Sequence, residues 1–130
     1  MADIEDMVIV VTGASRGLGR AMAQRFAEEG AKVVLTARNR DDLAEATSAA
    51  SGETIAVPGD VTDEGDVREV IEEATRVFGR VDTLVNNAAV GMLSLEGEGK
   101  RLVDLTEEDW DVILDTNLKG VFLFTRAVLP

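Results

Sequence analysis

The feature that most constrains this chain is a glycine-rich turn, Thr12-Gly13-Ala14-Ser15-Arg16-Gly17-Leu18-Gly19, set between a β-branched run and a helical pattern. Met7-Val8-Ile9-Val10-Val11 before the turn reads as a strand buried on both faces. After it, Leu18, Met22 and Phe26 recur every fourth residue up to Gly30, which predicts an amphipathic helix with those side chains inward. A glycine turn in that setting suits a phosphate. Gly13 permits the tight turn, Gly17 lets the backbone come close to an anion, and Gly19 lets the helix pack on the sheet. The helix start then offers unpaired N–H groups and a positive dipole end, so the amides between residues 13 and 19 are expected to face a pyrophosphate. The same spacing also fits a tight strand–helix turn without a ligand. It does not fit a P-loop, because Gly19 is followed by Arg20 and Ala21 rather than Lys and Ser or Thr.

The rest of the chain alternates strands with helices. Lys32–Thr36 reads as a second buried strand, and Asp41-Asp42 as the start of a short helix with Leu43, Ala46 and Ala50 inward. Ile55–Val57 is a third strand, stopped by Pro58-Gly59. Asp63 caps the next helix, whose apolar stripe is Val67, Val70, Ile71, Ala74 and Val77 and which ends at Gly79. Val81–Val85 is a fourth strand. A polar loop from Asn86 to about Asp104 follows, with Glu96–Arg101 expected to be a mobile surface stretch. Thr106, followed by three acids, starts a long helix with Trp110, Ile113, Leu114, Leu118, Val121 and Phe122 on one inward face. The predicted fold is α/β, a Rossmann-like doubly wound parallel sheet. It is incomplete, with about four strands and helices on both faces, in one dinucleotide-binding domain over residues 1–130.

Composition narrows the chemistry. The chain has 130 residues without cysteine or histidine, which removes disulfides, histidine acid–base work and most zinc sites, so no metal is expected. The net charge of −12 leaves no basic stripe to displace counterions, so nucleic acid is not an expected partner. No apolar run approaches a membrane span, and the short run at 7–11 follows acids, unlike a signal peptide; a cytoplasmic location is expected. The acid-rich, lysine-poor balance is shared by halophilic proteins and ordinary acidic cytosolic ones, and charge does not separate the two.

Cofactor choice can be read from charge. An NAD-specific site places an acid near the end of the second strand for the ribose hydroxyls. Here that region is Thr36-Ala37-Arg38-Asn39, with no acid at 36 or 37. Arg38, with Arg16 in the glycine loop, can pair with a 2′-phosphate. Solvated surface charges are the alternative for both. NADP(H) is therefore expected in preference to NAD(H).

Taken together, the Thr-Gly-x-x-x-Gly-x-Gly string, Asp60-Val61 after the third strand, Asn86-Asn87-Ala88 after the fourth and Asn117-Leu118-Lys119-Gly120 resemble the short-chain dehydrogenase/reductase family. The resemblance runs from Val8 to Pro130. It implies an oxidoreductase moving a hydride between nicotinamide and a small carbonyl or alcohol substrate. The implied cofactor-binding residues are Gly13, Ser15, Arg16, Gly17, Leu18, Gly19, Arg38, Asp60, Val61, Asn87 and Ala88, with Asp60 accepting from the adenine amino group. An aspartate capping the turn before Thr62 is the alternative for Asp60. The asparagines line the cofactor cleft and brace the sheet; Ala89 departs from the family's usual glycine there. Asn117 is the implied catalytic residue, in a helix whose opened backbone helps hold a proton-relay water. A core asparagine satisfied by a neighbouring helix is its alternative. Homo-oligomers are common in the family.

The family's other catalytic residues are a Ser and a Tyr-x-x-x-Lys pair, and this sequence has no tyrosine. The expectation is the N-terminal portion of a longer reductase, binding cofactor without turnover. Its open fourth strand should make the isolated chain marginally stable or self-associating. A stand-alone NADP(H)-sensing module and an interaction fragment without ligand are the alternatives. A methyltransferase would leave the asparagine strings unexplained.

Overall fold

The computed structural model describes residues 3–91 and 99–130. Four strands, β1 (Val8–Thr12), β2 (Lys32–Thr36), β3 (Thr54–Ala56) and β4 (Thr83–Val85), form one parallel sheet in the order β3-β2-β1-β4. The chain winds outward from β1 to β3, then returns to place β4 on the other side of β1. That reversal opens a crevice beyond the carboxyl ends of β1 and β4, where open α/β sheets bind ligands. The expected Rossmann-like α/β architecture is the one observed.

Strand alternation divides the interior in two. Ile9, Val11, Val33 and Leu35 pack under α1 (Gly17–Glu28) and α2 (Arg40–Ala49). Val10, Val34 and Val57 pack on the opposite face under α3 (Glu64–Phe78) and α5 (Gly120–Val128), with Val67, Val70, Leu123 and Phe124. Burial on both faces explains why β1 and β2 read as unbroken apolar runs. Among the described residues no helix is long and apolar enough to cross a membrane.

Several local expectations are revised. In α1 the buried residues are Gly19, Ala23 and Ala27, whereas Leu18 is 69% exposed. The helix sits so close to the sheet that only small side chains fit beneath it. A Cβ on Gly19 would collide with the Gly13 carbonyl oxygen and Asn87 Nδ2. Helix α2 starts one residue earlier than expected, because Asn39 caps it, its side-chain oxygen accepting from the N–H groups of Asp41 and Asp42 at 3.0 Å each. Ala50 lies past its end. In α3 the Asp63 cap and the αL Gly79 stop stand as expected, but Val77 is exposed.

The long helix differs most. It starts at Thr106 with a capping box to Asp109, runs as α4 (Glu107–Leu114), widens into a π-helical turn at Asp115–Lys119 and continues as α5. Its buried residues are Gly120, Leu123 and Phe124, while Trp110, Leu118 and Phe122 are exposed. An uninterrupted 3.6-residue period does not carry across a turn of different pitch, so the single inward face expected over 110–122 does not exist. Of the expected mobile stretch, residues 96–98 lie outside the described residues. Residues Leu102–Asp104 form a short 3-10 turn.

Candidate functional site

The carboxyl ends of all four strands feed one cleft of about 630 Å³. From β1 come Gly13, Ser15, Arg16 and Gly17; from β2, Ala37, Arg38 and Asn39, with Asp42 of α2. Beyond β3 come Gly59, Asp60 and Val61, and beyond β4 come Asn87, Ala88, Ala89 and Val90. Thr116, in the π-helical turn, closes the list of lining residues.

The turn at the cleft floor is built from backbone that glycine alone adopts without strain. Gly13 and Gly17 have φ of 62° and 57°. No side chain caps the first turn of α1, and that turn carries no acid, so its N–H groups and positive dipole end remain available to an anion. Ala14 is the exception among the expected amides, since its N–H donates to the Thr36 carbonyl at 3.1 Å.

A buried threonine locks the turn to the neighbouring strand. Thr12 Oγ1 accepts from Asn87 N at 3.0 Å and Ala88 N at 2.9 Å, and donates to the Val85 carbonyl at 3.4 Å. Asn87 Nδ2 donates back to the carbonyls of Thr12 and Gly13, at 3.1 and 3.2 Å. Asn87 therefore braces the strands and lines the cleft at once. Asn86 instead reaches Thr125 Oγ1, at 3.4 Å.

Asp60 serves the turn as well as the cleft. Its Oδ1 accepts from Thr62 N and Thr62 Oγ1 at 2.9 and 2.7 Å. Its Oδ2 has no such partner among the described residues. Arg16 and Arg38 line the cleft and neither belongs to an ion pair among the described residues. Asn117 is not a lining residue. Its side chain forms a two-point clamp on Val90, Oδ1 accepting from Val90 N at 2.8 Å and Nδ2 donating to Val90 O at 2.7 Å. The partner is the loop backbone after β4 rather than a neighbouring helix, and the side chain sits, half-buried, inside a widened helical turn that borders the cleft.

Of the residues expected to bind cofactor, all but Leu18 and Gly19 line the cleft. Leu18 points into solvent, and Gly19 is buried beneath the turn. Ala37, Asn39, Asp42, Gly59, Ala89, Val90 and Thr116 also line the cleft and were not expected from the sequence. Asn39 carried a signal, an asparagine just before two acids and therefore a helix cap. For Thr116 the signal lay next door, in the Asn117–Gly120 string whose resemblance implies a helix of opened backbone.

Comparison with known proteins agrees with this architecture. The family model described as short chain dehydrogenase matches residues 7–130. A 3-oxoacyl-[acyl-carrier-protein] reductase of Thermotoga maritima is 38% identical over 130 residues, covering 98% of this chain and 50% of that protein. An uncharacterized oxidoreductase of Staphylococcus aureus is 39% identical over 131 residues, with 54% of its length covered. Among solved structures, a 3-ketoacyl-(acyl-carrier-protein) reductase from Brucella melitensis complexed with NADH superimposes with a TM-score of 0.90 at 36% identity, covering 98% of this chain and 50% of that one. A short chain dehydrogenase/reductase from Burkholderia phymatum in complex with NAD gives 0.88 at 34% identity, covering 98% of this chain and 44% of that one. The chain spans about half the length of the relatives it matches. With the family model matching nearly its whole length, the chain belongs to the short-chain dehydrogenase family.

Proposed function

We propose that this chain carries the dinucleotide-binding part of an NADP(H)-dependent oxidoreductase acting on a small carbonyl or alcohol substrate. The observation that carries the proposal is the convergence of the glycine turn, Arg16, Arg38, Asp60 and the Asn87-Ala88 backbone on one cleft at the switch point of the sheet. The cleft fits such a group physically. A Cβ on Gly17 would meet nothing within 4 Å, so the backbone there lies open to close approach.

Each residue has a distinct task in this reading. The first turn of α1 binds the pyrophosphate through its N–H groups, helped by the absence of any acid there. Arg16 and Arg38 bind a 2′-phosphate, for which an arginine fork is suited. Asp60 offers its second carboxylate oxygen to the adenine amino group. Asn117 orients the backbone at Val90, and the opened turn around it holds a proton-relay water. When bound, the nicotinamide supplies or accepts the hydride at a carbonyl or alcohol carbon. The proton partner for that step, a tyrosine in the family, is not found in this sequence, so this chain by itself is expected to bind without turnover.

Isothermal titration of the chain with NADPH and NADH tests the cofactor assignment. NADPH is expected to bind at least about tenfold tighter. Equal affinities, or tighter NADH, would overturn the NADP(H) assignment, and no binding of either would overturn the cleft's role altogether.

A further inference from the structure

The loop carrying Asp60 and Val61 is held by contacts that the cleft itself does not reveal. Helix α3 is capped by Asp63, whose Oδ1 accepts from Asp66 N at 2.8 Å. In a capping box, the residue at Asp66's position returns its side chain to the N–H of the cap residue. Here it does something else. Asp66 Oδ2 reaches past the cap and accepts from Asp60 N at 2.9 Å, while Asp63 N donates to the Asp60 carbonyl at 3.1 Å. The start of α3 is thus wired to the lining of the cleft.

Packing wedges the same loop from both sides. A Cβ on Gly59 would meet Asp66 Cβ and Val70 Cγ2 at 3.4 Å each, so the backbone at 59 sits directly on α3. A Cβ on Gly120 would fall 2.7 Å from Val61 Cγ2, so α5 presses on Val61 from behind. Thr62 holds one oxygen of the Asp60 carboxylate, which fixes the direction of the other. The one polar tie on the backbone N–H of Asp60 is the Asp66 carboxylate.

We infer that Asp66 is a positioning residue for the adenine subsite: by binding the Asp60 N–H it sets where the Asp60 carboxylate meets the base, and so sets discrimination between adenine and bases lacking its amino group. This inference rests on the cofactor assignment proposed above. A site arranged to accept from an N–H group rejects an analogue without it, because its acceptor then faces another acceptor. Shifting the Asp60 backbone removes that rejection without emptying the cleft.

The test compares NADPH with reduced nicotinamide hypoxanthine dinucleotide phosphate, which carries a ring carbonyl in place of the adenine amino group. Both are titrated into the full chain and its variants. The parent is expected to favour NADPH by about tenfold. Asp66→Ala is expected to bring that ratio to about one, and Asp66→Asn, which keeps an acceptor oxygen, to restore it. Asp63→Ala removes the helix cap but leaves the Asp66 carboxylate; it is expected to lower the thermal midpoint and keep the ratio. If Asp66→Ala does not fold, Asp66→Ser, short but tolerated at a helix start, takes its place.

The outcomes separate the two ideas. No NADPH binding by the parent overturns the cofactor assignment and this inference with it. Binding without preference between the two nucleotides overturns the adenine role of Asp60, and this inference, but leaves the cofactor assignment standing. A preference that survives in Asp66→Ala or Asp66→Ser overturns the positioning role alone.

Discussion

The glycine turn with its two flanking strands and the β4–α5 side of the molecule are held together differently. β1 is buried along its whole length and β2 at all but its first residue. Gly19 touches the Gly13 carbonyl, and the Thr12 hydroxyl engages three backbone groups. On the other side, β4 is only half-buried, and Trp110, Leu118 and Phe122 are 56, 65 and 55% exposed. This second region is joined to the first by the β1–β4 ladder, by Thr12 with Asn87 and Ala88, by Asp82 with Val8, and by Leu123 and Phe124 packed with Val10 and Val34, while Asn117 clamps Val90 and Gly120 sits against Val61. The pyrophosphate end of the cleft is therefore organised from within. The end bordered by Val90 and Thr116 depends on those links.

The largest effect that can break this comparison lies within α5. Phe124 is 1% exposed and belongs to the core under the sheet, so Phe124→Ala is expected to cost about 3–5 kcal/mol. Phe122, two residues earlier, is mostly exposed with an Arg126 guanidinium 4.8 Å from its ring centroid, and Phe122→Ala is expected to cost at most about 1 kcal/mol. Urea denaturation of both variants measures the gap. Equal losses would mean that the outer face of α5 is covered in solution, and the contrast between the two regions would fail.

A smaller difference is expected inside the turn. Gly19→Ala forces a methyl onto the Gly13 carbonyl and Asn87 and should cost about 1–3 kcal/mol. Gly17→Ala meets no neighbour and costs only the left-handed backbone, about 1–2 kcal/mol. Gly17 lines the cleft, however, so its variant should lose more in NADPH affinity than in stability. Calorimetric melting and titration on the same samples compare the two. A Gly17→Ala chain with unchanged affinity would place the phosphates elsewhere.

Legibility in the sequence followed the same division. Strands buried on both faces announce themselves as β-branched runs, and β1 and β2 were placed within one residue of their observed ends. The glycine turn and Asp60, Asn87 and Arg38 were recognisable because residue type and spacing carry their geometry. The inward faces of α2 and α3 were legible, with Leu43, Ala46, Val67, Val70 and Ala74 buried as their spacing predicts. In α1 close packing on the sheet fully buries Gly19, Ala23 and Ala27, leaving Phe26 only partly buried and Leu18 exposed. Past Leu114 the error came from pitch: a 3.6-residue period does not carry across the π-helical turn, even though the Asn117–Gly120 string implied an opened backbone there. Asp66 carries no signal in the sequence, because its partner, Asp60 N, is a backbone group that no composition records.

The weakest expected effect concerns the link between the two regions at Val8. Asp82 Oδ2 accepts from Val8 N and from Arg80 Nε, both at 2.8 Å. The Val8 amide first, and the Arg80 guanidinium second, hold its carboxyl below the usual aspartate range. A carboxylate whose pKa is lower folded than unfolded contributes stability that is full above the unfolded value, about 3.9, and disappears as pH falls through the folded one. Asp82→Asn keeps an acceptor for Val8 but has no proton to gain. Its deficit in thermal midpoint relative to the parent should therefore be largest near neutrality and shrink as pH drops below about 4. Glu73 and Asp109 are lowered in the same direction by Arg76 and Lys100, so the variant's own acid limb flattens only in part. The Arg80 contribution is exposed and should fade with added salt, whereas the Val8 hydrogen bond should not. A deficit that stays constant from pH 7 to pH 3 would show that this tie between β1 and β4 is not proton-linked.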